Sequence, residues 1–197
     1  MDRLKQQIGF ILEIDKLKGV QRRSYLIQGD RRENSAEHSW HLAMMAAVLT
    51  EHASAAVDVA KVLEMVLVHD VVEIDAGDVF CYDVAGNVGK LDREKLAAER
   101  IFNLLPPDQS AKFRALWDEF EERRTPEARF AAALDRLMPL FHNYHAKGRG
   151  WQEHGVTEDQ VIARCKIIAD GSPALWEIAL GLIRESVAKG YLAPAAR

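Results

Sequence analysis

The apolar run Val62-Leu63-Glu64-Met65-Val66-Leu67-Val68 ends in an adjacent imidazole and carboxylate, His69 and Asp70. A buried helix would surround both groups with hydrocarbon, so they need a partner, and a divalent cation is the economical one. Neighbouring residues on a helix point about 100° apart, so the two side chains can share an ion only near a helix end. The pair therefore predicts a helix terminus. A site built from imidazoles and carboxylates suits borderline or hard divalent metals better than thiolates would, and the expectation is a metal-dependent hydrolase.

With 197 residues the chain is long enough for one sizeable core, and a single domain over 1–197 is expected. Its 48% apolar and 28% charged residues are a globular balance rather than a disordered or fibrous one. A net charge of −4 argues against a surface that coats a nucleic acid polymer, while leaving room for a local basic pocket and a small anionic substrate. Cys81 and Cys165 lie far apart without CxxC spacing, so neither a disulfide framework nor a thiolate zinc site is indicated. The first residues are polar, and no stretch approaches the roughly 20 apolar residues that cross a bilayer. A cytoplasmic protein without membrane contact is expected.

Periodicity and punctuation point to an all-α fold of about eight helices, read at 2–17, 35–53, 58–70, 91–105, 108–122, 126–146, 157–170 and 173–189. Asn34 with Glu37 and Thr157 with Gln160 resemble capping boxes, Asp58 can cap the segment leading to His69, and Thr125-Pro126 and Ser172-Pro173 are helix-start signals. No strand pattern competes. The stretches 74–90 and 147–155 read as loops, the first following directly on His69-Asp70. Trp40, Trp117, Trp151 and Trp176 are expected to pack in the core, Trp151 being the least settled. The last helix, with Leu175, Trp176, Ile178, Leu182 and Ile183, offers apolar surface for self-association.

Two further segments carry candidate ligands. His38 stands near the start of its helix, three residues before His41, and either can reach inward. Asp135 lies among small apolar residues in Ala131-Ala132-Ala133-Leu134-Asp135-Arg136-Leu137, and His142 shares its helix face seven residues on. Spacing leaves His38 and His41 as alternatives and His142 as a possible further ligand. The plain competing account pairs Asp135 with an arginine and satisfies each histidine in the core or at the surface; it is weakest for His69-Asp70. Glu73, three and four residues after Asp70 and His69, is placed for general acid/base work on a water held by such an ion, an exposed helix-end carboxylate being the alternative.

The series Arg32-Glu33-Asn34-Ser35-Ala36-Glu37-His38-Ser39-Trp40, then His69-Asp70-Val71-Val72-Glu73 with Gly77-Asp78, then Ala133-Leu134-Asp135-Arg136-Leu137 resembles the ordered motifs of the HD-domain metal-dependent phosphohydrolases. It is most similar to the branch containing bacterial 5′-deoxynucleotidases. The resemblance implies an all-α HD-domain helical bundle with one divalent metal ion (Mn, Co, Mg, Zn or Fe) held by His38, His69, Asp70 and Asp135. It sets Asp78 beside Glu73 as a partner in proton transfer or water positioning. Among the clustered Arg22, Arg23, Arg31 and Arg32, it gives Arg23 the substrate contact. At the next position the branch has a tryptophan shaping the sugar pocket, whereas Ser24 stands here, which bears on selectivity for deoxyribose. Asp75 gains no role. The implied partner is a small-molecule nucleotide or other phosphate ester, and the implied assembly a homodimer. The competing functions are a phosphodiesterase or nucleoside triphosphate hydrolase on the same fold, and a non-catalytic nucleotide-binding module.

Overall fold

The structure is a computed structural model that describes residues 2–28 and 30–195. Its helices are α1 (Arg3–Ile14), α2 (Ser35–Leu49), α3 (Val59–Val68), α4 (Glu73–Ala76), α5 (Lys90–Phe102), α6 (Pro107–Glu122), α7 (Pro126–His145), α8 (Arg149–His154), α9 (Glu158–Cys165), α10 (Ile168–Gly171) and α11 (Pro173–Ala188). The start signals act as expected. Asn34 Oδ1 accepts from the Glu37 amide while Glu37 Oε2 accepts from the Asn34 amide, closing a capping box on α2. Asp58 caps α3, Thr125 caps α7 and Ser172 caps α11, and Thr157 with Gln160 boxes α9.

Five expectations are corrected. Between α1 and α2 the chain forms a hairpin of β1 (Gln21–Tyr25) and β2 (Arg32–Asn34), antiparallel, with Gln21 opposite Asn34 and Tyr25 opposite Arg32. The stretch 147–155 holds α8, because Gly148 and Gly155, which read as loop residues, supply left-handed caps at its two ends. The segment 157–170 is two helices, α9 and α10, broken at Lys166 and Ile167. Finally, α11 buries the side of it that was expected to be free: Leu175 and Ile183 lie in the core, Trp176 and Leu182 pack against it, and Ile178 is exposed. A different apolar row faces solvent, Trp40, Met44 and Val48, one turn apart on α2. Trp40 is thus not a core residue.

The hydrocarbon gathers in two clusters. The larger packs α2, α3 and α7 with α9 to α11, and α7 lines it with Phe130, Ala131, Ala133, Leu134, Leu137 and Met138. The smaller joins Phe10 and Leu17 to Ala98, Ile101 and Phe102 of α5 and Trp117 of α6, and takes in Val68, Val71 and Val72. The end of α3 thus lies on the seam: Met65 and Val66 belong to one cluster and Val68 to the other. A helix entering such a seam brings His69 and Asp70 to the one place where packed hydrocarbon gives way to an opening. Gly171 closes α10 onto α7, where an added Cβ would lie 2.3 Å from the Arg129 carbonyl oxygen and 2.7 Å from Ala133 Cβ. Among the described residues no helix is long and apolar enough to cross a membrane.

Candidate metal centre

The α-helix α3 stops at Val68, and His69 is its C-cap, as two adjacent ligands require. His69 Nδ1 lies 2.9 Å from the Val66 carbonyl oxygen, an acceptor, so this nitrogen carries the proton and Nε2 presents its lone pair. That Nε2 is 3.1 Å from Asp70 Oδ1 and 3.7 Å from Asp135 Oδ1, yet it is buried with no hydrogen-bond partner. From α2, His38 brings Nε2 to 3.0 Å from the same Asp135 Oδ1 and turns Nδ1 towards Glu33 Oε2 at 3.3 Å. Asp135 Oδ2 accepts from Arg136. The side chains are buried, His38 at 0% and Asp135 at 6% exposed, while His69, Asp70 and Asp135 still line a cavity. The structure therefore brings His38, His69, Asp70 and Asp135 together, and selects His38 over His41 at this point.

Electrostatics agree with a missing positive charge. Burial works against a protonated His69, but Asp70 and Asp135 outweigh it and hold the imidazole up to about 9. A site that draws a proton so strongly onto a buried ring also draws a dication, and the donor set of two imidazoles and two carboxylates balances its charge. The orphaned Nε2 of His69 is the direct sign of fit. Glu33 Oε2 lies 3.3 Å behind His38 Nδ1, where it would orient the ring towards a cation held at Nε2 and raise its basicity.

Glu73 opens α4 directly after the His69–Val72 turn, and it is buried. Ser35 Oγ donates to Glu73 Oε2 at 2.6 Å. Burial, with Asp70 and then Asp78 nearby, pushes Glu73 up to about 8 against the pull of Arg22. Gly77, at φ +73°, turns the chain so that Asp78 lines the same cavity. Burial raises Asp78 as well, Asp70 adding to it against Arg22.

The hairpin supplies what sequence reasoning missed. Alternation along β1 turns Arg22 inward, where NH1 donates to Asp70 Oδ2 at 2.8 Å and Nε lies 3.3 Å from Glu33 Oε2. Arg23 faces the opposite way, more exposed; it lines the cavity beside Ser24 without touching the ligand set. The sequence Gln-Arg-Arg-Ser-Tyr over 21–25 carries no alternation of apolar and polar residues that would have shown which arginine turns inward. Glu33 lies on β2 and is 1% exposed, with Arg22, His38 and His142 around it holding its carboxyl low against burial. Glu33, His41 and His142 form a second cluster of potential ligands. Arg22 already supplies positive charge to Glu33, so this cluster is a brace behind His38. Asp75 bonds the exposed Arg100, away from the centre.

Beside the ligands runs a cavity of about 660 Å³. Glu73 and Asp78 line it with the ligands, and Trp151, Tyr82, Arg136 and Arg164 form other parts of its wall. A helical frame that gathers separated histidines and aspartates onto one buried point beside such a cavity defines a metal-binding class of domain. Within that class the chain belongs to the HD-domain family, whose model matches residues 14–176.

Relatives extend this placement. The chain is 32% identical over 133 residues to a 5′-deoxynucleotidase of Xenopus laevis and 30% identical over 128 residues to one of Homo sapiens, alignments that take in 67% and 64% of this chain. It spans only 65% and 61% of those two relatives' own length. A crystal structure from Magnetospirillum magnetotacticum, described as a predicted metal-dependent phosphohydrolase, superposes with a TM-score of 0.94 at 52% identity, covering 98% of this chain and 96% of that one.

Proposed function

We propose that the protein is a metal-dependent phosphohydrolase that removes phosphate from nucleoside or deoxynucleoside 5′-monophosphates. The observation that carries the reading is the buried His38–His69–Asp70–Asp135 set with an orphaned imidazole nitrogen, next to Glu73 and open to a cavity of about 660 Å³. The names of the relatives support the substrate class. When bound by the four ligands, a divalent cation supplies Lewis acidity towards a phosphoryl oxygen and acidifies water.

The chain's own residues supply the rest. Ser35 occupies Glu73 Oε2, leaving Oε1 to take a proton from the attacking water. The water oxygen bonds to phosphorus as the bond from phosphorus to the sugar oxygen breaks, and Asp78 hands the leaving oxygen its proton, giving nucleoside and inorganic phosphate. The burial that raises Asp78 suits a proton donor, and a bound dication's charge would draw Glu73 down from about 8 to the carboxylate form that accepts a proton. Arg22 beside Asp70 and Arg23 at the rim set positive charge against the phosphate dianion, which arginine can meet with two parallel hydrogen bonds. With nucleotides as substrates the enzyme works in the cytoplasm, and the Trp40, Met44 and Val48 row on α2 is the contact of a homodimer.

The test is phosphate release from a nucleotide panel with added Mn, Co or Mg ions. Glu73→Ala is expected to lower turnover by about 10²–10⁴-fold, the range of a general acid/base contribution, and Asp70→Ala to abolish it with the metal. Equal rates for wild type and both variants would overturn the reading.

A further inference from the structure

The cavity has a second pole that the reaction above does not use. Arg136 follows Asp135 on α7, and Arg164 lies near the end of α9; both line the cavity wall close to Cys81 and Tyr82. One nitrogen of Arg136 holds Asp135 Oδ2, while its Nε is buried without a hydrogen-bond partner. Arg164, half-buried, has no hydrogen bond or ion pair among the described residues.

The charges around these arginines differ from those around Arg22. Asp70, Glu73, Asp135 and Asp78 surround Arg22, whereas Arg136, Cys81, Asp135 and Tyr82 surround Arg164. Asp135 is common to both, so it marks the boundary between a metal pole and an arginine pole. Burial, and then Arg136, push the Arg164 guanidinium below its ordinary value, against Asp135. Arg136 alone pairs with Asp135, and that carboxylate would also serve a bound cation, which leaves Arg164 without an ion pair among the described residues. Two guanidinium groups in one cavity wall, one with a buried Nε that lacks a partner and the other without an ion pair, are donors in want of an acceptor.

We propose that Arg136 and Arg164 bind a second anionic group, so that the preferred substrate is a phosphate monoester carrying a further phosphate or carboxylate away from the ester bond that breaks. This rests on the phosphohydrolase reading and narrows its substrate class. Tyr82 and Trp151 give the same cavity apolar wall against which an uncharged portion of the substrate can pack.

Matched pairs test it: adenosine 5′-monophosphate against adenosine 3′,5′-bisphosphate, and glycerol 3-phosphate against 3-phosphoglycerate, each with kcat and KM for phosphate release and with products identified by chromatography. The doubly anionic member of at least one pair is expected to win by about tenfold in kcat/KM, mainly through KM. The winning pair tells phosphate from carboxylate. Arg164→Gln should bring that ratio towards one, and Arg164→Lys should keep part of it. Ratios near one in both pairs, or a ratio that Arg164→Gln leaves intact, would overturn the proposal. So would an equal loss on all four compounds, which places Arg164 on the phosphate that leaves. Calorimetric titration of the same pairs into Glu73→Gln gives the comparison as an affinity ratio without turnover. Absence of turnover from every compound counts against the phosphohydrolase reading, whereas turnover without preference counts against the second anion site alone.

Discussion

At the scale of single residues, the neighbours of His38 show how much of the centre is held from behind. Glu33 faces His38, Arg22 and His142 with one carboxylate, and His142 is 2% exposed. Burial, helped by His38, His41 and Arg22, outweighs Glu33 and pushes the His142 imidazole down to about 4. The ordinary value is 6.5, so between those two values the unfolded chain binds a proton that the folded chain refuses. Stability contributed by neutral His142 is complete above pH 6.5 and is lost as the pH falls towards 4, by up to about 3 kcal/mol. Denaturant unfolding of the metal-loaded protein at several pH values should show this slope, and His142→Phe should flatten it. The burial and clustering of the candidate ligands were legible in the sequence because seven mostly apolar residues carry the adjacent His69 and Asp70 into the interior, where both side chains need a charged partner. Arg22 was not: among four clustered arginines, side-chain direction is set by the strand period, and β1 is too short and polar to announce itself.

At the scale of elements, helix starts were readable because a cap is a local event with its partner three residues away. Asn34, Asp58, Thr125, Thr157 and Ser172 all mark real starts. Helix stops and short pieces were harder. The six residues of α8 are too few to show a period, and its two glycines read equally well as loop or as caps. The hairpin escaped for the related reason that a three-residue partner strand has no pattern. The contact between α10 and α7 is the most exacting of the helix contacts. Gly171→Ala would press a methyl group into the Arg129 carbonyl and Ala133. The expected cost is about 1–3 kcal/mol, the range of overpacking, read as a lower denaturant midpoint at unchanged slope.

At the scale of the whole molecule, a cation held by the candidate ligands of α2, α7 and the turn after α3 would stabilise only the state in which those parts are assembled. A ligand present at 100 times its dissociation constant adds about 2.7 kcal/mol. Chelator-treated protein should melt lower than protein with Mn or Co ions, the difference should grow with ion concentration, and Asp135→Ala should erase it; melting by calorimetry checks all three. The two hydrocarbon clusters were not separable in the sequence, since apolar periodicity tells which face of a helix is covered and not by what. Their meeting line passes through α3: His38 and Asp135 stand on helices of the larger cluster, whereas the turn holding His69 and Asp70 is anchored by Val68, Val71 and Val72 in the smaller. The two halves of the ligand cluster are therefore carried by two hydrocarbon clusters that meet along α3 and at Phe113. A methyl group gained or lost far inside either one would press on its half of the clamp, so lineages drifting in oily residues alone could retune the grip on a cation without altering a single side chain that points at it.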